Sequence, residues 1–341
     1  MDLESLGEQS PLKILLIQFK YLGDLAVVTP LFQAIRDKYP LAQIDMLVGE
    51  HALPIVRDNP LLAKTWGYPR RHKFSELVSL VRALRREHYD ISVDLWGNDR
   101  GAVLGRLIGA DFRVGAQPRR GFRFRKFLYT HWVEDFDVER HEVIRDWAIL
   151  APLGVPEPAS LAMHMVAPAA YETAARELLG DIKVLCNIGA SQPRREWPVD
   201  RWIEFYDRAA NLGPRIAFTS GHTPAEKQRL EELRRRRPDV AILESPEPLE
   251  LYLAVLAQLK AFVTCDSGPM HFAAALGTPT IAMFGPTRAL RWAPIGDKHR
   301  YIQGDLCYCS GHLSSCVAQK HCMNGIGVDR LVAEYQESIV G

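Results

Sequence analysis

CDSGPMHFAAALGTPTIAMFGPT, residues 265–287, is the stretch whose reading decides the fold. It runs as the end of one apolar strand, a turn around Gly268, a short helix of small residues, and a second strand, TIAMFGP (280–286), closed by another glycine turn. Gly268 and Ser267 allow backbone N–H groups to come close to a ligand, and a helix beginning at Gly268–Met270 points its partial positive end the same way. The ligand this arrangement predicts is a phosphate.

Working outward, the same strand-then-helix alternation runs through the whole chain, the pattern of parallel sheets covered by helices on both faces. KILLIQF (13–19), IDMLVGE (44–50) and ISVDLWG (91–97) read as strands of a first set. FSELVSLVRALRREHY (74–89) reads as a helix with Leu77, Leu80, Val81 and Leu84 on one face. KVLCNIGAS (183–191), RIAFTSG (215–221), VAILES (240–245), AFVTCDS (261–267) and TIAMFGP form a second set. Between them APLGVPEPASLAMHMVAP (151–168) reads as a linker, which puts a boundary near residues 153–167 and domains at 1–157 and 158–341. The expectation is an α/β protein of two doubly wound, Rossmann-like domains, with the carboxyl ends of both sheets along a shared cleft.

With 341 residues, 47% hydrophobic and 24% charged, the composition is that of a globular chain long enough for two cores. A formal net charge of +1 gives no global drive toward nucleic acid or membrane, so electrostatic partners must be sought in local patches. The polar, acid-bearing start MDLESLGEQSPLK is unlike a signal peptide, and no apolar run approaches a membrane span; cytoplasmic residence is the expectation. Cys186 and Cys265 lie in apolar strands and read as core residues. RRRR (234–237) reads as the solvated last turn of a charged helix.

Four loops follow strands and carry polar residues. In QFKYLGDLAVVTP (18–30), Asp24 follows Gly23 at a helix start, where it fits both a helix-capping role and that of a base; GxGxxG is absent, which argues against a dinucleotide cofactor. In NIGASQPRREWPVDRW (187–202), Ser191 can donate to a phosphate oxygen, Arg194 or Arg195 can meet the charge of a departing diphosphate, and Trp197 reads mainly as packing. In TSGHTPAEK (219–227), Glu226 suits either ribose hydroxyls or the helix N-terminus. In the fourth loop Asp266 and Ser267 end a strand, and His271 reads as a neutral structural histidine near the helix N-terminal dipoles.

These segments resemble glycosyltransferase family nine, the ADP-heptose:lipopolysaccharide heptosyltransferases. The resemblance is carried by LGDLAVVTPLFQAIRDKYP (22–40), RREWP (194–198), DSGPMHFAAALGTPTIAMFGPT (266–287) and a cysteine-bearing segment ending CMNGI (322–326). It implies the two-domain GT-B architecture, an acceptor-binding first domain and a donor-binding second one. It further implies that Asp24 is the catalytic base, that Asp266 contacts the donor sugar, and that Arg195 and the turn Asp266, Ser267, Gly268, Pro269, Met270 and His271 hold the diphosphate. Arg195 stands where members commonly carry lysine. Lys20 and Gly23 go with Asp24 on the acceptor side. Displacement with inversion at the anomeric carbon is implied too. No DxD-type acidic motif that would hold magnesium is seen in the donor half, so no cofactor is expected for catalysis.

RRGFRFRKF (119–127) places Arg119, Arg120, Arg123, Arg125 and Lys126 together, which reads either as a solvated loop or, the favoured reading because five cations so close otherwise repel, as cations for the phosphates or carboxylates of a lipopolysaccharide core or for an anionic inner leaflet. No nucleic-acid-binding motif accompanies them. CYCSGHLSSCVAQKHC (307–322) carries Cys307, Cys309, Cys316 and Cys322 with His312 and His321 between them. Two readings of these thiols stay open: ligands of a structural zinc or iron, and reduced structural cysteines. Taken together the sequence reads as a cytoplasmic, inverting heptosyltransferase-like enzyme at the inner-membrane surface. The alternatives are a GT-B transferase using another nucleotide sugar or a protein acceptor, and a non-catalytic nucleotide-sugar-binding module.

Overall fold

β1 (Lys13–Gln18) is the hub of a six-stranded sheet that also contains β2 (Gln43–Gly49), β3 (Lys64–Tyr68), β4 (Ile91–Asp94), β5 (Phe112–Ala116) and β6 (His131–Val133), ordered β3-β2-β1-β4-β5-β6. Every pairing in it is parallel, with Ile17 level with Leu47 on one side and Asp94 on the other. The computed structural model describes residues 11–71, 73–116, 124–134, 139–304 and 322–340. A second parallel sheet has β7 (Ile182–Asn187), β8 (Arg215–Thr219), β9 (Ala241–Ile242), β10 (Ala261–Cys265), β11 (Thr280–Phe284) and β12 (His299–Gln303), ordered β12-β11-β10-β7-β8-β9. The chain divides into two compact units between Leu161 and Ala162, one sheet in each.

β1, β7, β10 and β11 are buried almost without interruption, as central parallel strands covered on both faces must be. In the first unit Leu15, Ile17 and Leu47 pack with Leu84, Leu104 and Ile108, and Leu77, Leu80 and Val81 lie against them, so the apolar stripe of helix Phe74–Arg86 faces the sheet as its spacing requires. In the second unit Trp202 stands edge-on to Trp197, Phe205 and Phe218, with ring centroids 5.1, 6.3 and 6.1 Å away. Trp197 is fully buried and its indole N–H donates to the Ile326 carbonyl at 3.1 Å, a packing role. Cys186 and Cys265 belong to the same core; burial pushes the Cys265 thiol up to about 12, which keeps it inert as a nucleophile.

Two helices, Leu22–Val27 and Thr29–Lys38, follow β1, with the break at Val28. Thr29 Oγ1 donates to the Ala26 carbonyl at 2.7 Å and Pro30 sits in the first turn of the second helix. ISVDLWG ends as a strand at Asp94, because the Asp94 carboxylate takes the N–H groups of Trp96 (3.1 Å) and Gly97 (2.9 Å) and turns the chain. Gly97 has φ +66°, and a Cβ there would lie 2.5 Å from the Ala116 carbonyl. VAILES narrows to the two residues of β9, an edge strand. The RRRR turn is engaged with acids: Arg237 reaches Asp207 (2.8 Å) and Asp239 (2.7 Å), and Arg236 pairs with Asp200 and Glu232. At such exposure these pairs add little stability.

Helix Asp99–Ile108 is started by Asn98, whose Oδ1 accepts from the Gly101 N–H at 2.7 Å. Asn98→Ala is expected to cost about 1 kcal/mol, read as a lowered urea midpoint. An unchanged midpoint would mean that the Asn98 cap adds nothing to the start of this helix.

Candidate active site

In both sheets the strand order reverses beside the first strand, between β1 and β4 in one and between β7 and β10 in the other. Carboxyl ends at such a reversal are where open α/β sheets bind ligands. In the second sheet Asn187 ends β7 level with Thr264, one residue before the end of β10. The Asn187 amide donates to Thr264 Oγ1, Ser267 Oγ and the Gly189 carbonyl, each at 3.2 Å, and Thr264 and Ser267 share a hydrogen bond at 3.0 Å. Ser267 thus stands at the start of helix Gly268–Ala275 with its hydroxyl engaged sideways and not in capping that helix.

Asp266, one residue earlier, is 5% exposed and pairs with Arg195 at 3.2 Å. Burial raises the Asp266 carboxyl above the usual range, while the Arg195 guanidinium and the Thr287 hydroxyl pull it back. Arg195 comes from the short turn Pro193–Arg195, beside an exposed Ser191. Gly268 and Pro269 form the first turn of the helix; Met270 and His271 are buried in it, His271 with its ring 6.1 Å from that of Trp292.

Glu226 does cap its helix: its carboxylate accepts from the Thr223 N–H (3.2 Å) and hydroxyl (2.6 Å), and Thr223 Oγ1 accepts from the Glu226 N–H. Its other oxygen lies over the ends of β7 and β8, where a Cβ on Gly189 or Gly221 would come within 2.7 or 2.5 Å of it. Glycine at those two positions is what lets the carboxylate sit at this edge. Two residues that sequence reasoning passed over secure the loop. Glu196 is buried, accepts from the Ala190 N–H and pairs with Arg229 at 3.1 Å; Arg229 also donates to the Trp197 carbonyl at 2.7 Å. Only the acid between Arg195 and Trp197 signalled this in the sequence.

In the first sheet Asp24 is the third residue of helix Leu22–Val27, directly after Gly23. Its carboxylate accepts from the Tyr21 N–H, so the capping role is real. It is 8% exposed, and burial raises its carboxyl above the ordinary range; Lys20 opposes that shift and Glu142 adds to it. Lys20 is engaged with Glu142 (3.4 Å) and Asp146 (3.3 Å). Asp94, at the end of β4, also accepts from the Tyr129 hydroxyl at 2.7 Å, and burial pushes its carboxyl to about 6.

Arg125 is 5% exposed and pairs with Asp99 at 2.8 Å, which places its charge inside the fold. Lys126 is exposed, its ammonium 5.7 Å from the Phe127 ring centroid. Arg119, Arg120 and Arg123 lie outside the described residues, as do Cys307, Cys309 and Cys316. Cys322 is buried at the start of the short turn Cys322–Gly325. Among the described residues no group of three His, Cys, Asp or Glu is placed to hold a metal ion, and no described helix is long and apolar enough to cross a membrane.

Two doubly wound parallel sheets, each with polar side chains gathered where its strand order reverses, define the GT-B class of glycosyltransferase fold. Residues 77–320 match the family model of glycosyltransferase family 9 (heptosyltransferase), and the chain belongs to that family. It is 26% identical over 288 residues to the lipopolysaccharide heptosyltransferase 3 of Escherichia coli, covering 81% of this chain and 84% of that one. The crystal structure of a family 9 glycosyl transferase from Veillonella parvula superposes with a TM-score of 0.80 at 19% identity, covering 98% of each chain. The E. coli heptosyltransferase WaaC with ADP-2-deoxy-2-fluoro heptose superposes with a TM-score of 0.69 at 20% identity, over 96% of this chain and 99% of that one. The protein is therefore a glycosyltransferase.

Proposed function

We propose that this enzyme moves a heptose from ADP-heptose to a hydroxyl of the lipopolysaccharide inner core, with inversion at the anomeric carbon. The observation that carries the reading is the Arg195–Asp266 pair at the mouth of helix Gly268–Ala275: a cation, a carboxylate and a helix N-terminus at one strand end. A nucleotide diphosphate sugar presents what those three groups recognise. Arg195, the first N–H groups of the helix and Ser191 meet the diphosphate, Asp266 accepts from sugar hydroxyls, and the free oxygen of Glu226 accepts from the ribose.

Asp24 takes the proton of the acceptor hydroxyl as its oxygen bonds to the anomeric carbon and the bond to the diphosphate oxygen breaks. The leaving ADP carries the departing electron pair, and Arg195 and the helix dipole stabilise the charge that develops there. Support comes from the family itself, from the lipopolysaccharide heptosyltransferase 3 likeness, and from WaaC, whose structure holds an ADP-heptose analogue. Arg119, Arg120, Arg123 and Lys126 supply cations for an anionic acceptor at the inner-membrane surface. Purified protein given ADP-heptose and a panel of truncated lipopolysaccharides should release ADP and add one heptose to one member. Release of ADP with no member gaining heptose, or turnover only with another nucleotide sugar, would refute the reading.

A further inference from the structure

Asn187 and Thr264 are buried, whereas Ser267, at the start of helix Gly268–Ala275, is half-buried, so of the three it is the one a ligand can reach. Five contacts draw on the hydrogens of these side chains. The Asn187 amide reaches the Gly189 carbonyl, Thr264 Oγ1 and Ser267 Oγ, each at 3.2 Å; Thr264 Oγ1 donates to the Cys265 carbonyl at 2.9 Å, and Thr264 and Ser267 share the fifth at 3.0 Å. An amide supplies two hydrogens and each hydroxyl one, so the contacts outnumber the hydrogens by one. Thr264 spends its hydrogen on Cys265, and the bond it shares with Ser267 therefore takes the Ser267 hydrogen.

That hydrogen is the one free to turn elsewhere, because without it Ser267 Oγ and Thr264 Oγ1 both still have the Asn187 amide as donor. A serine just before a helix ordinarily turns its oxygen onto the N–H groups of the first turn. Here the oxygen is drawn aside, and the helix start has no side-chain cap. Its partial positive end is left for an anion. The same amide also reaches across the sheet: it binds Gly189 in the loop that leads to Ser191 and Arg195, and Ser267 in the turn after β10.

We infer that Asn187 is a positioning residue for the donor: by donating to Ser267 Oγ it keeps that side chain off the helix N-terminus and lets the hydroxyl hydrogen swing from Thr264 to an oxygen of the diphosphate. The inference rests on this strand end being the donor site. Asn187 itself, buried below Ser267, touches no ligand; its whole effect passes through the serine. Without it Ser267 is free to cap the helix, and that bond must be given up before the hydroxyl meets a phosphate.

The test is a double-mutant cycle read by calorimetric titration with ADP, using the parent, Asn187→Ala, Ser267→Ala and the two combined. Each single substitution is expected to weaken ADP by about five- to tenfold, the worth of one hydrogen bond, and the combination by no more than Ser267→Ala alone. Adenosine, which has no phosphate, should compete equally well in all four. Parent-like ADP affinity in Asn187→Ala, the same loss from removing Asn187 with and without Ser267, or an adenosine affinity that falls with that of ADP would overturn the inference. If Asn187→Ala does not fold, Asn187→Asp runs the same cycle: it keeps the shape and can accept but not donate, and the charge it adds acts in both Ser267 backgrounds and cancels between them. Failure of ADP to bind the parent protein would instead remove the donor-site reading on which the inference rests.

Discussion

Asp24→Asn is expected to lower kcat by about a hundredfold or more while leaving ADP-heptose affinity unchanged, the usual consequence of deleting a general base. The substitution is close to isosteric, and the amide oxygen can still accept from the Tyr21 N–H, so helix Leu22–Val27 keeps its cap. What disappears is the ability to take a proton. Because burial raises the Asp24 carboxyl above its ordinary range, parent kcat should fall with decreasing pH at a midpoint higher than that of an exposed aspartate. The residual rate of the mutant should lack that limb. Stability moves the opposite way. A carboxyl with a raised folded-state pKa costs stability when ionised, and the cost is relieved as pH falls through that pKa. The asparagine carries no such cost, so at neutral pH the mutant should unfold at an equal or higher urea concentration than its parent, as expected where function holds a charge in a place that folding alone would not choose. Turnover close to the parent's in a folded Asp24→Asn protein would strip Asp24 of the role.

The central strands were readable because their burial on both faces leaves uninterrupted apolar runs: KILLIQ, KVLCN, AFVTC and TIAMF announce themselves. β3 (KTWGY), β5 (FRVGA), β6 (HWV) and β12 (HRYIQ) were not, since these outer strands carry lysine, arginine, glycine or histidine and include three sheet edges. Candidate residues were legible where a strand end, a glycine and a polar side chain fall together in sequence, as at Gly23-Asp24 and Asp266-Ser267-Gly268. Partnerships across the chain were not. Glu142 and Asp146 lie more than a hundred residues from Lys20, and nothing local marks them as its counter-charges. Arg125 looked like one cation among five, and only the fold shows that Asp99 takes it out of the patch. Asn187 became informative once β7 and β10 proved to be neighbours, because that pairing brings its amide to Ser267.

Arg195→Ala and Asp266→Ala should part company in a way that separates diphosphate from sugar. Arg195 pairs with Asp266 at 3.2 Å and brings a full positive charge to this strand end, and a charge-assisted hydrogen bond from it to a phosphate oxygen contributes about 1.5–3 kcal/mol. Its loss is therefore expected to weaken ADP and ADP-heptose alike, by on the order of ten- to a hundredfold. The mutant also leaves Asp266 buried without that guanidinium, so its carboxyl, already raised by burial, should rise further. Below the new midpoint the carboxyl is neutral and ceases to repel the diphosphate, so the ADP affinity of Arg195→Ala should recover in part as pH falls. Asp266→Ala acts the other way on the nucleotide. With the carboxylate gone, Arg195 gives its whole charge to the diphosphate, and ADP should bind as tightly as in the parent or more so. ADP-heptose should bind less well than in the parent, because the sugar hydroxyls lose their acceptor. Calorimetric titration of both ligands at two pH values checks each sign. Parent-like ADP affinity in Arg195→Ala, or equal losses of ADP and ADP-heptose in Asp266→Ala, would remove this strand end from the donor site.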